Sequence, residues 1–140
     1  MDARKKNQIL RLVLFSTGVV DLFTAIALFF PILDLPLPGY GAYTREIAFV
    51  AGGWGIAALT FGIGRIWASY KPAFHRMMAV LGLIEGFILT LFCLINVFFL
   101  EISLLQAMLP LAVGGVFGIL YFVALYIPWR IDRPNHRRKN

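Results

Sequence analysis

Residues 77–100 read MMAVLGLIEGFILTLFCLINVFFL, and Glu85 is the one charged side chain among them. A helix needs about 20 apolar residues to cross the hydrocarbon layer. This stretch meets that length and, with the residues just before it, defines a span over 73–100. On its N-terminal side Lys71-Pro72 forces a break, because proline disfavours helix in the residue before it. A second apolar run, 45–68, lies upstream of that break. On the C-terminal side Glu101 marks a turn, and a further run over 102–127 closes at Pro128-Trp129. The remaining run, 9–33, ends at Pro31 and the Pro-rich segment Asp34-Leu-Pro-Leu-Pro-Gly39. The predicted fold class is all-α, an integral membrane four-helix bundle over residues 1–140, with 128–140 as a basic tail. Short connections make sequential helices antiparallel neighbours.

Composition agrees. The chain has 140 residues, 60% hydrophobic and only 14% charged. Soluble domains carry roughly 45–50% apolar and about 25% charged residues. A domain this small has too little interior to hide the excess, so lipid must be the other solvent. The formal charge is +6, which suits anionic lipid or nucleic acid. The bases cluster at the ends of apolar runs, so the expected partner is membrane lipid, with no nucleic acid. Cys93 is the one cysteine and lies inside an apolar run, which leaves neither an intramolecular disulfide nor a cysteine-based zinc site. The basic start and first apolar run resemble a signal peptide. The run is too long for that and lacks a small-x-small closing site, so it reads as a retained span.

Orientation follows from the bases. Every Lys and Arg except Arg45 falls at the N-terminus, around the second connection (Arg65, Lys71, Arg76) or in the tail. The positive-inside rule puts that side in the cytoplasm, with both termini inside, as in a bacterial inner membrane protein. Tyr40 and Tyr43 mark the outer interface, and Trp67, Tyr70, Tyr126 and Trp129 the inner one. The tail bases Arg130, Arg133, Arg137, Arg138 and Lys139 suit an anionic inner leaflet.

Two acids fall deep in the spans, Asp21 and Glu85, at comparable depth by residue counting. A bare carboxylate in hydrocarbon is costly, so each must face the bundle, be protonated or have a partner. Counted along the chain, no Lys or Arg reaches that depth, so no internal salt bridge is expected. Three roles remain open: a protonated acid bonded to a neighbouring helix, an acid matched by a partner helix, or a proton relay or polar-ligand site that would include Trp54. Asn96 is expected to make an interhelical hydrogen bond, and His75 to sit solvated at the inner interface. Gly52, Gly53, Gly55, Gly82, Gly86, Gly114 and Gly118 form small-residue faces for helix packing, within the chain or between subunits. Pro110 should loosen the fourth helix.

The chain has no phosphate-binding loop, dinucleotide fingerprint, nucleophile elbow, paired histidines or CxxC. No catalytic residue, metal site or cofactor is predicted, and the chain does not read as an enzyme. Its layout resembles small four-span bacterial membrane proteins of the DoxX-like type. The residues that carry the likeness are Pro31 at the end of span one, Arg45-Glu46 and then Gly52-Gly53 and Gly55 in span two, a short basic turn and a glycine-containing third span. That resemblance implies the same fold and, for some members, association with quinone-coupled membrane oxidoreductases. The expected function is a non-catalytic accessory or scaffolding subunit in complex with other membrane subunits. A homo-oligomer, a quinone or lipid binding protein, or a proton-coupled transporter using Asp21 and Glu85 are the alternatives.

Overall fold

Caps and prolines decide where each apolar run becomes a helix. The computed structural model describes residues 3–33, 35, 44–100 and 102–126. Helix α1 spans Ala3–Phe29 and passes into a 3-10 turn at Phe30–Leu33, since Pro31 cannot continue the helical hydrogen bonding. Helix α2, Arg45–Ser69, opens at Thr44, whose Oγ1 accepts the Ile47 N–H at 3.4 Å. It closes where the Lys71 N–H donates to Ala68 O at 2.8 Å. Pro72 then takes the first position of α3, Pro72–Phe99, where its fixed φ suits a helix start. Helix α4, Leu104–Tyr126, begins after a reciprocal cap: Ser103 Oγ accepts the Gln106 N–H at 3.3 Å and donates to Gln106 Oε1 at 3.0 Å. All four helices are long and apolar enough to span a membrane.

Helix α1 begins at Ala3, ahead of the apolar run 9–33. Residues 3–8 are rich in helix formers, and Lys6 Nζ donates to Leu125 O at 2.9 Å. That cation sits on the negative end of α4. Pro110 leaves α4 unbroken as a helix. Tyr40, Tyr43, Trp129 and the tail bases Arg130 to Lys139 lie outside the described residues.

The helices form two tight antiparallel hairpins, α1 with α2 and α3 with α4, laid against each other along a thinner seam. Their buried stripes are rich in small or polar residues, with Leu10, Val13, Leu14 and Phe117 as the larger apolar members. In α2 they are Gly52, Gly55, Gly62, Arg65, Ala68 and Ser69; in α4 they are Ala107, Gly114, Phe117, Tyr121 and Ala124. Large apolar residues such as Phe23, Phe49, Phe98 and Phe99 point outward. This inverts a soluble protein and suits a lipid environment, where packing replaces the hydrophobic effect between helices.

Close approach happens at two glycine contacts. A Cβ on Gly86 would lie 2.5 Å from Gly118 N and 2.7 Å from Gly114 O; one on Gly62 would lie 3.0 Å from Gly18 O. Gly52 and Gly55 meet Ile32 and Phe29, and Gly82 lies under the Tyr121 ring. Gly114 contacts Thr90 and Gly86. Gly53 has nothing within 4 Å of an added Cβ, so it packs on nothing among the described residues. Gly86→Ala is therefore expected to cost about 1–3 kcal/mol through overpacking. Gly53→Ala should be neutral or stabilising by up to ~1 kcal/mol through helix propensity. Unfolding in a detergent titration measures both, and equal stability of the two variants would contradict the assigned packing.

Candidate functional site

The triplets Gly18-x-x-Asp21, Gly62-x-Gly-Arg65 and Gly82-x-x-Glu85 share one spacing. Residues three apart lie on the same helix face, so each charged residue follows a buried glycine one turn along the inner face. The Gly18–Gly62 contact brings the α1 and α2 backbones together. The charged side chains then close over it.

Arg65 Nη1 donates to Asp21 Oδ2 and Nη2 donates to Glu85 Oε2, so one guanidinium joins α1, α2 and α3. The absence of a base at this depth, expected from residue counting, is thus corrected. Arg65 belongs to the acids and not to the flanking bases. Side chains lean toward the N-terminus of their own helix. In α2 that direction is back into the bundle, and it carries the guanidinium about one turn (~5 Å) from its Cα level. Asp21, on an antiparallel helix, leans the opposite way and meets it.

Aromatic rings complete the enclosure. The Arg65 guanidinium carbon lies 5.2 Å from the Phe117 ring centre, 5.6 Å from Tyr121 and 5.7 Å from Phe61. Rings at this range favour a cation away from water. Tyr121 is held in turn by Thr17. The Thr17 hydroxyl donates to Val13 O at 2.8 Å, so in their mutual hydrogen bond the Tyr121 hydroxyl donates to Thr17 Oγ1. Arg65 Nε has no hydrogen-bond partner among the described residues.

The three charged side chains differ in access. Arg65 is 1% exposed and Asp21 9%, whereas Glu85 is 36% exposed. Asp21 and Arg65 are sealed inside the bundle, and Glu85 opens to its surface at the same level. With all three ionised the cluster carries one net negative charge, and one proton makes it neutral.

Other expected site residues lie elsewhere or act differently. Trp54 is 61% exposed; it points away from the bundle, so a cavity lined by Trp54, Asp21 and Glu85 is corrected. Asn96 Nδ2 donates to Phe92 O of its own helix at 2.8 Å, not across an interface, because that carbonyl lies one turn away. His75 is buried, with Nε2 donating to Ser69 O at 3.0 Å, instead of being solvated. No group of three His, Cys, Asp or Glu among the described residues is placed to hold a metal ion.

Comparisons with protein-family models, curated proteins and solved structures give no match. Chemistry at this site is therefore inferred from its geometry alone. Arg65→Gln should cost about 3–5 kcal/mol, because it strands two carboxylates in the bundle. Glu85→Gln, with a more exposed side chain, should cost less. Chemical unfolding in detergent measures both, and an Arg65→Gln protein as stable as wild type would contradict the cluster.

Proposed function

We propose that this chain spans a bacterial inner membrane with both termini in the cytoplasm, and that it binds a small amphiphile in a proton-coupled way at Asp21, Arg65 and Glu85. The observation that carries this reading is the unequal exposure of a cluster with two acids and one base. A net charge at membrane depth is costly. One proton removes it, and the carboxyl reachable from the bundle surface is Glu85. Protonated, Glu85 can donate to a quinone or lipid carbonyl arriving from the lipid side; deprotonated, it turns back to Arg65. Ligand binding and proton occupancy are coupled through that single side chain. Asp21 stays with Arg65 and keeps the guanidinium aimed. In keeping with the resemblance to DoxX-like proteins, a quinone is the first amphiphile to test. Orientation is supported by the remaining bases at the N-terminus, the second connection and the tail, which keep their one-sided distribution without Arg65.

A second reading, the accessory subunit, is favoured by Gly53 and Gly115. Both have open space above them and offer a partner helix a close approach.

Native mass spectrometry after mild-detergent extraction separates the two readings. We expect a small species with bound amphiphile, whose occupancy falls about fivefold or more in Glu85→Leu, which has no donor, as losing a ~1 kcal/mol hydrogen bond implies. Stoichiometric partner chains with no amphiphile, or unchanged occupancy in the folded variant, would overturn the carrier reading.

A further inference from the structure

A second site lies at the end of the bundle where α1 begins, α2 ends and α3 begins. A pocket of about 270 Å³ opens there, lined among others by Arg4, Asn7, Gln8, Arg11, Tyr70 and His75. Two cations and two amides thus surround one concave surface on the basic side of the protein. Its geometry is organised around Arg11 and His75.

The Arg11 guanidinium carbon lies 5.2 Å from the Tyr70 ring centre, and Phe15 meets the same ring edge-on. A guanidinium held over a ring by cation–π attraction keeps N–H groups that can meet an anion. Among the described residues Arg11 has no carboxylate partner. His75 is 97% buried, being 3% exposed. Its Nε2 faces the Ser69 carbonyl at 3.0 Å and must carry the hydrogen, which leaves Nδ1 of the neutral ring as an acceptor. That Nδ1 is buried and has no hydrogen-bond partner among the described residues. An unmet buried acceptor calls for a donor. The pocket therefore suits an anion that also bears a hydroxyl. The start of α3, where Lys71 supplies no side-chain cap, adds the positive end of a helix dipole.

We propose that this pocket binds the headgroup of a hydroxyl-bearing anionic phospholipid, of which phosphoglycerol is the simplest. Arg4 and Arg11 hold the phosphate, Asn7 and Gln8 hydrogen-bond its ester oxygens, and a headgroup hydroxyl, admitted by a shift of the side chains that cover the ring, donates to His75 Nδ1. The pocket rests on the reading of α1 to α3 as membrane spans, which brings it to headgroup level. It is independent of any ligand at Glu85.

The test is lipid titration of detergent-purified protein by native mass spectrometry and by lipid-induced shift of the melting temperature. Wild type should retain phosphatidylglycerol over phosphatidylcholine. Arg11→Gln, an exposed position that should leave the fold intact, should weaken retention about fivefold or more, since each base near anionic lipid contributes ~1 kcal/mol. His75→Phe should lose the preference for phosphatidylglycerol over phosphatidic acid while it still binds anionic lipid. A chain cut after Asp132 should bind as wild type does. Equal retention by wild type and Arg11→Gln would overturn the site, as would loss of binding on tail removal alone. Glycerol phosphate that stabilises the protein as well as the lipid does would overturn the lipid assignment and point to a free phosphate ester.

Discussion

One guanidinium holding two carboxylates is the constraint on which this bundle turns. Among the described residues, Arg65 is the one that joins α1, α2 and α3 by ion pairs. The hairpins α1/α2 and α3/α4 are each secured by glycine contacts, but the seam between them is thin. Across that seam run the Arg65–Glu85 pair, the Thr17–Tyr121 hydrogen bond, the Lys6–Leu125 contact and the His75–Ser69 contact. Between helices in lipid, polar contacts of this kind and close packing supply what water would otherwise drive. Burying a charge is tolerable here only because the partners arrive together. Remove the guanidinium and two acids are left in hydrocarbon; remove one acid and the cluster becomes neutral.

The same cluster explains why stability and function would share residues. Asp21 and Arg65 are enclosed by Phe61, Phe117 and Tyr121, so they act as a fixed half. Glu85 is the adjustable half, exposed enough to exchange partners. A site built this way needs no internal cavity. On the proposed function it would use the bundle surface, where a lipid-soluble molecule can arrive, and couple its binding to one proton. The pocket at the basic end, proposed for a lipid headgroup, would work by different chemistry, through cationic and hydrogen-bonding side chains.

Much of the architecture was legible in the sequence, because length and apolarity set membrane helices almost alone. The runs around Ala79 and Val113 could be nothing else. The ends were less legible: α1 reaches back to Ala3 because Lys6 finds Leu125 O, a contact between residues far apart in the chain. The acids Asp21 and Glu85 stood out, but Arg65 was misread as an interfacial base. Residue counting gives the depth of a Cα, whereas a long side chain carries its charge a turn away. The shared glycine-to-charge spacing in three helices was the signal that could have found it. Asn96 and Trp54 were overvalued for a related reason, since helix rotation decides which face a residue shows and the hydropathy of these nearly all-apolar spans carries little of that phase. Gly53 differs from Gly52 and Gly55 in the same way.

A double-mutant cycle between Arg65 and Glu85, with each replaced by leucine singly and together and unfolding measured in detergent, tests the central claim most directly. Contacting residues in one ion network show coupling of about 0.5–3 kcal/mol. The account predicts a coupling of at least about 1 kcal/mol, with the double variant more stable than Arg65→Leu alone. Additivity within ~0.3 kcal/mol would mean that Arg65 and Glu85 do not meet, and the seam between the hairpins would rest on its other contacts.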